Sequence, residues 1–312
     1  MASPRPPSLA QAHHYRLPEL LHDIRRLDLL ELCGTTVHTS LLLHLSQPLV
    51  GQRQEGSRRY RILSEDFGLV RDRRQLWGCG YGTSAAMRLL RLGCRAHRLA
   101  ADVARIGSDL LHHPLLAGCP WLLPTPQRFR AAANWLELVR QSVLDGALIS
   151  GLELEEAEGL NHQELELLPL GQLPLALAFC PKAPVLVGAA PGRPATGGRV
   201  AEVLVPDRGV APGLRRLLRE LGLPLRSGGN SLQTPDDWIG RIQGSPLALV
   251  VADREADTWA ALQRWPLGHG SSASRPHSPV WLALPADWQE HPVLRHTARE
   301  LGRIGGPQQL EG

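Results

Sequence analysis

The sequence predicts an α/β protein with a basic helical head, one long helix and an α/β body, and three observations predict this fold class. Leucines recur at helical spacing early in the chain, a longer periodic run follows, and short apolar runs then alternate with helical stretches. Such alternation is typical of βαβ units in a parallel sheet. With 312 residues, 43% of them hydrophobic, the chain can bury the cores of two or three domains.

Positive charge is concentrated in the N-terminal third of the chain. Residues 1–110 contain 16 Arg against 10 acidic residues, whereas the remainder has 18 basic and 20 acidic residues. Lys182 is the only lysine, and arginine is suited to bidentate contacts with phosphate and guanine. A GC-rich genome accounts for the arginine bias equally well. If the excess of arginine is functional, a nucleic-acid partner is expected at the basic N-terminal third of the chain.

Cysteine usage and hydropathy predict a soluble cytoplasmic protein. The five cysteines are scattered and never form C-x-x-C, which favours reduced thiols over disulfides. Cys94-x-x-His97 has zinc-ligand spacing but no second ligand pair close by, so we expect neither a metal nor a cofactor. Residues 1–18 predict a disordered leader without the apolar core of a signal peptide, and no run approaches the ~18 apolar residues of a membrane span.

The head begins with two predicted helices. Leucine and isoleucine recur at helical spacing from Pro18 to Cys33, and Gly34 is expected to end this helix. Thr35 or Thr36 can cap the next helix, which runs to Leu45. Ser46 then caps a third helix, whose first turn tolerates Pro48.

These residues, taken together, resemble a known family of DNA-binding proteins. Gly34-Thr35, Leu45-Ser46-Gln47-Pro48, Ser57-Arg58-Arg59-Tyr60-Arg61-Ile62-Leu63 and Glu65-Asp66-Phe67-Gly68-Leu69 follow one another as in the winged helix-turn-helix of LysR-type transcriptional regulators. The resemblance implies a DNA-binding domain at 19–80, a dimerisation helix at 81–113 and a two-lobed effector domain at 114–312 with a type-2 periplasmic-binding-protein fold. It further implies promoter DNA and a small-molecule effector as partners, and a homodimer or homotetramer.

The predicted DNA contacts fall in the third helix and the wing. Ser46 and Gln47 at a helix N-terminus can reach a phosphate and a base edge, since glutamine pairs with adenine. The full predicted set is Ser46, Gln47, Pro48, Arg53, Ser57, Arg58, Arg59, Arg61, Arg71, Arg73 and Arg74.

The sequence departs from the family at residues 51–56, an apparent insertion with two glycines in what should be one helix. Either this helix is broken into two pieces or it is displaced. The alternative function is a two-lobed small-molecule-binding protein that does not bind DNA and uses its head only for assembly.

A heptad-like repeat predicts the long helix at 81–113. Apolar residues step by three and four from Ala85 until Pro114 ends the run, as in a coiled-coil seam. The predicted dimerisation residues are Leu89, Leu92, Ala96, Leu99, Val103, Ile106 and Leu110. A single amphipathic helix lying on its own domain is the alternative. Arginines at 88, 91, 95, 98 and 105 flank the seam and are expected near DNA.

The body is predicted to contain two βαβ sets joined by a hinge. Strands are expected at 121–124, 147–149, 201–205, 246–251 and 280–284, and helices at 132–144, 212–221, 236–242 and 291–304. The segment 165–179 is apolar but contains Pro169 and Pro174. Ligands of open α/β sheets lie beyond the C-terminal ends of strands, so the candidate effector contacts are Thr125, Ser150, Gly151, Asp207, Asn230 and Ser231, although each is also compatible with an ordinary turn.

Enzyme motifs are missing from the sequence. No Gly-x-Ser-x-Gly elbow, P-loop, His-Glu-x-x-His or paired-cysteine motif occurs. The pairs His13-His14 and His112-His113 lie in polar or capping contexts and are expected to be solvated. We therefore expect no catalytic residues and no enzymatic activity.

Overall fold

The structure is a computed structural model that describes residues 17–48, 50, 84–112, 115–116, 119, 121–124, 129–154, 164–180, 202–229, 235–252, 262–267 and 276–305. The chain divides into two compact units. The first comprises Met1–Ala101 with Gln141–Val143, and the second comprises Asp102–Arg140 with Leu144–Gly312.

The first unit begins with the two helices that the sequence predicts. Helix α1 spans Leu17–Cys33, and Gly34 ends it with a positive φ of 73° and a backbone N–H that donates to the Leu30 carbonyl at 3.0 Å. Helix α2 spans Thr36–Leu43, and the Thr35 hydroxyl accepts the N–H of His38 at 3.2 Å. The predicted glycine stop and threonine N-cap are therefore confirmed.

Helix α3 spans Ala85–Ala100 and packs on α1. The Ser84 hydroxyl caps it by accepting the N–H of Met87 at 3.2 Å. Met87 and Cys94 of α3 form a small core with three residues of α1, which are Leu20, Ile24 and Leu27. The apolar spacing in both helices is thus satisfied by packing of one against the other.

The prediction that this helix continues to residue 113 is wrong. Asp102, with a φ of 54°, follows the helix, and Val103 precedes strand β1 at Ala104–Gly107. Ile106 therefore lies in a strand and Leu110 in a 3-10 helix at Leu110–His112. Aspartate is one of the few residues that tolerate the left-handed conformation, and it turns the chain here even though the apolar spacing continues.

The second unit contains a mixed sheet organised as two halves. Strands of the first half-sheet are β2 (Leu122–Pro124), β1, β3 (Gly146–Ser150), β9 (His277–Pro285) and the first part of β4 (Leu165–Phe179), in that order. Strand β1 runs parallel to β2 and β3, while β9 is antiparallel to β3 and β4. Helix α4 (Ala132–Arg140) connects β2 to β3.

The second half-sheet repeats this plan. The last part of β4 pairs with β7 (Leu247–Ala252) and β8 (Gln263–Pro266), and β5 (Glu202–Val205) runs parallel to β7 and β6 (Leu225–Ser227). Helix α5 (Pro212–Glu220) joins β5 to β6, and α6 (Pro235–Ile242) joins β6 to β7. A 3-10 helix at Ala286–Trp288 and helix α7 (Pro292–Gly305) complete the described chain. The predicted α/β class and two-lobed body are confirmed.

Strand β4 links the two halves. Its residues 165–174 pair with β9, and residues 175–179 pair with β7 and β8. Pro169 and Pro174 do not interrupt it, although a register shift lies between Pro169 and Gly171. Around Pro169, β9 is the only partner of β4 among the described strands, so the strand has an edge on which a missing N–H is tolerated.

No helix within the described ranges combines the length and the apolar character needed to cross a bilayer.

Candidate functional site

The residues predicted to open the recognition helix are exposed. A tight turn at His44, with a φ of 51°, follows α2, and Gln47 and Pro48 are helical after Ser46. The Gln47 side-chain amide donates to the Thr36 hydroxyl at 3.2 Å. The remaining predicted DNA contacts lie outside the described residues; they are Arg53, Ser57, Arg58, Arg59, Arg61, Arg71, Arg73 and Arg74.

Helix α3 carries an exposed apolar stripe. Leu89 is 68% exposed and Leu92 37% exposed, and Ala96 lies on the same exposed face. Leu99 is instead buried within the chain. The stripe defined by Leu89, Leu92 and Ala96 is thus left uncovered in the single chain.

Four of the five arginines expected to flank this seam near DNA are buried instead. Arg91, Arg95 and Arg98 lie on the covered side of α3, and Arg105 is buried in β1. The expectation that these four line a DNA-facing surface is wrong. Their guanidinium groups are held inside the protein, and the contacts of Arg91 are an example.

Arg91 forms a buried ion pair with Asp28 of α1. Its Nε and Nη2 donate to the Asp28 Oδ1 at 3.2 and 2.9 Å, and its Nη1 donates to the Gln141 Oε1 at 3.0 Å. All three side chains are buried. A buried charge is tolerated only when it is paired and hydrogen-bonded, so this network keeps the basic side of α3 covered and leaves its apolar stripe outside.

Only some of the predicted effector contacts lie in the described chain. Ser150 is buried at the end of β3, and Gly151 follows it with an N–H that donates to the Pro279 carbonyl at 3.0 Å. Asp207 is half-buried and accepts the hydroxyl of Ser227 at 2.8 Å. Thr125, Asn230 and Ser231 lie outside the described residues.

The strand order places a topological switch point beside β1 and β3. The chain leaves β1 for β2 on one side and later returns to β3 on the other side, so the two strands flank a switch point in the topology. In such sheets the carboxyl ends of these two strands border the usual ligand position. Asp109 comes two residues after β1, and Glu153 comes three residues after β3.

Asp109, His112 and Glu153 converge at this switch point, and we call them the buried triad. One potential ligand atom from each lies within 4.8 Å of the other two, and all three residues are buried. The Asp109 Oδ1 accepts the backbone N–H of Leu111 at 2.9 Å and of His112 at 3.3 Å. The N–H and hydroxyl of Ser150 donate to the Glu153 Oε2 at 2.7 and 3.3 Å.

Burial and the neighbouring carboxyl group act together on Glu153. Burial raises the pKa of the Glu153 carboxyl well above its usual range, and the charge of Asp109 raises this pKa further, against the opposing hydrogen bonds from Ser150. Both causes disfavour a second negative charge beside Asp109.

The triad lies where the two half-sheets meet. Leu110 packs into the core on one face of the second half-sheet, and Leu111 packs into the core that α5 covers. On the other side of the triad, the Leu152 carbonyl accepts the N–H of Leu214 in α5 at 3.0 Å. Both chain segments that supply the triad thus contact the second half-sheet.

Sequence reasoning missed Asp109 and His112 because it assigned strand β1 to the long helix. The rule for strand ends therefore did not point to the residues after β1, and the sequence predicted a solvated His112. That expectation is wrong, since His112 is fully buried. The signal available in the sequence was Asp102, because aspartate tolerates the left-handed conformation that follows the helix.

Comparisons with known proteins found similar solved structures. No protein-family model and no curated protein matches this chain. A full-length OxyR variant from Pseudomonas aeruginosa is 15% identical, with 96% of this chain and 99% of that chain covered and a TM-score of 0.45. CbnR in complex with its target DNA is 13% identical, with 94% and 100% covered and a TM-score of 0.45. HinK, a LysR family transcriptional regulator from Pseudomonas aeruginosa, is 17% identical, with 94% and 99% covered and a TM-score of 0.40.

Proposed function

We propose that this chain is a DNA-binding transcriptional regulator of the LysR type, which binds promoter DNA as an oligomer and responds to a small-molecule effector. The observation that carries the proposal is the run Leu45-Ser46-Gln47-Pro48, which follows two capped helices and a tight turn and opens a helix with exposed polar side chains. A helix N-terminus of this kind presents free N–H groups to a phosphate. An exposed glutamine beside it can read an adenine edge in the major groove.

The apolar stripe of α3 supports an oligomer. Leu89, Leu92 and Ala96 are spaced as in a coiled-coil seam and are exposed in the single chain. A second copy of the same helix would remove these side chains from water, since like seams pair in symmetric dimers. A dimer would also present two heads to two half-sites on the DNA.

The switch point beside β1 and β3 supports an effector site in the second unit. It lies at the carboxyl ends of neighbouring parallel strands and at the junction of the half-sheets. A ligand bound there contacts both halves and can bias how they are arranged, which is what an effector must do to change DNA binding.

DNA binding is tested by fluorescence anisotropy of the full chain with a labelled duplex from the region upstream of its own gene. We expect binding that weakens as salt is raised, because phosphate contacts release counterions. Gln47→Ala is expected to weaken binding about tenfold or more at this duplex. Gln243→Ala, at an exposed glutamine of the second unit, is the matched control and should leave affinity unchanged.

A lack of binding at low salt would contradict the regulator and favour the second candidate, a small-molecule-binding protein whose head serves assembly alone. The insertion at residues 51–56 is the observation that favours this second candidate, because two glycines weaken a continuous recognition helix by about 1 kcal/mol each.

Oligomerisation through the stripe makes a separate prediction. Leu92→Glu places a charge in the proposed seam and is expected to weaken self-association about tenfold or more, because a charge is costly in an apolar interface. Sedimentation velocity of the full chain over a concentration series measures this. Leu221 is a leucine of similar exposure in the second unit, 38% against 37% for Leu92, so Leu221→Glu is the control. If Leu92→Glu self-associates as strongly as Leu221→Glu, the stripe is not the interface.

A further inference from the structure

The geometry points to a divalent transition-metal site formed by Asp109, His112 and Glu153, with Zn²⁺ as the ion that fits best. The inference rests on the second unit alone and does not depend on whether the head binds DNA.

The donor set of the triad matches zinc chemistry. One imidazole nitrogen and two carboxylate oxygens converge within 4.8 Å. Zinc binds such ligands with bonds of about 2.0–2.2 Å, so two ligand atoms of one tetrahedral ion lie roughly 3.5 Å apart. Small side-chain rotations would close this difference. A mixed imidazole and carboxylate set favours a transition metal over Mg²⁺ or Ca²⁺, which prefer oxygen ligands alone.

A second observation comes from buried polar atoms that face the triad. Neither ring nitrogen of His112 has a hydrogen-bond partner among the described residues, and the same holds for the Glu153 Oε1. His112 is fully buried and Glu153 is 3% exposed. Leaving buried polar groups without partners costs free energy, and a metal ion would accept the lone pair of one His112 ring nitrogen and of the Glu153 Oε1.

The side chains of Asp109 and His112 are in direct contact. The His112 Nδ1 lies 2.8 Å from the Asp109 Oδ1, which is closer than two ligand atoms of one zinc ion, so a shared ion would move the two atoms slightly apart. The Asp109 Oδ1 is already held by the backbone N–H groups of Leu111 and His112.

Outer hydrogen bonds hold the two carboxylates in place. Ser150 fixes one oxygen of Glu153 through its N–H and hydroxyl, and two backbone N–H groups fix one oxygen of Asp109. Metal ligands are commonly oriented by such outer contacts. A divalent cation would also remove the repulsion between two adjacent buried carboxylates.

Metal binding is tested on the full chain after removal of metal with a chelator. The protein is dialysed against ZnCl₂ or CoCl₂. The number of metal ions bound per chain is then measured by inductively coupled plasma mass spectrometry. We expect one ion per chain. The absorption spectrum of bound Co²⁺ should be typical of a low coordination number, such as four. Glu153→Gln keeps the side-chain shape and is expected to weaken Zn²⁺ binding at least about tenfold, as is His112→Asn.

Matched controls use exposed residues of the same types, Glu290→Gln and His277→Asn. They should bind Zn²⁺ like the wild type. Loss of binding in these controls but not in Glu153→Gln would overturn the site, as would a wild-type chain that takes up no stoichiometric metal.

X-ray absorption of the Zn²⁺-loaded wild type keeps the test independent of variant folding. One imidazole and oxygen ligands are expected, whereas a sulfur ligand or an all-oxygen shell would overturn the assignment. None of these readouts involves DNA, so failure of the metal site and failure of the proposed regulator remain distinguishable.

Discussion

Asp28→Asn is expected to lower the free energy of unfolding of the first unit by about 3–5 kcal/mol. The substitution keeps the shape of the side chain but removes the negative charge that faces the Arg91 guanidinium. Arg91 is fully buried and Asp28 is 1% exposed, so water cannot replace the lost charge. Urea denaturation of the full chain, followed by circular dichroism at the helical signal, measures the change.

Two further variants distinguish the effect of breaking the buried Arg91–Asp28 pair from the effect of removing any carboxylate. Asp23→Asn removes a carboxylate from the partly exposed pair with Arg26 and is expected to cost about 0–1 kcal/mol, since exposed pairs contribute little. Replacing these three residues with apolar ones, as Asp28→Leu, Arg91→Met and Gln141→Leu together, is expected to recover most of the stability. A cost below about 1 kcal/mol for Asp28→Asn would show that the charge of Arg91 is compensated elsewhere.

The head helices could be predicted from sequence because their boundaries depend on local chemistry. Gly34 accepts a positive φ without steric cost, and Thr35 offers a hydroxyl to the N–H of His38. Both effects act within four residues of the helix end. The two half-sheets were likewise predictable in outline, because strands buried on both faces are continuous apolar runs.

The end of α3 was not predictable from spacing alone. Val103, Ile106 and Leu110 fit the seam of a coiled coil, yet Ile106 fits equally well into a short buried strand. Long-range pairing of β1 with β2 and β3 decides between the two, and sequence spacing does not contain that pairing. The same holds for β4, whose prolines are accommodated by an edge that only the sheet reveals.

The sequence predicted one part of the candidate site and missed another, because only one of its two strands was recognised. The rule that ligands lie beyond strand ends led to Ser150, whose N–H and hydroxyl hold Glu153. The same rule would have led to Asp109 had β1 been recognised. The burial of Arg91, Arg95 and Arg98 was unpredictable because it depends on partners far away in sequence, such as Asp28 and Gln141.

Gly213→Ala is expected to destabilise the second unit by about 2 kcal/mol, although glycine to alanine in a helix normally stabilises. Gly213 lies in the first turn of α5, where a Cβ atom would stand 2.5 Å from the Gly151 carbonyl oxygen and 2.7 Å from that of Leu154. These are backbone atoms of the turn that carries Glu153, so they cannot rotate away. The helix would have to move from the turn, which breaks the hydrogen bond from Leu214 to Leu152.

Gly240→Ala separates this effect from helix propensity. Gly240 lies inside α6, and a Cβ there meets nothing within 4 Å, so alanine is expected to stabilise by up to about 1 kcal/mol. Urea denaturation of both variants measures the change in the free energy of unfolding, which should be negative for Gly213→Ala and positive for Gly240→Ala. Because the turn also holds Glu153, Gly213→Ala should weaken Zn²⁺ binding while Gly240→Ala should not. If both substitutions stabilise, α5 is not packed tightly against the turn, and the two half-sheets are not coupled through it.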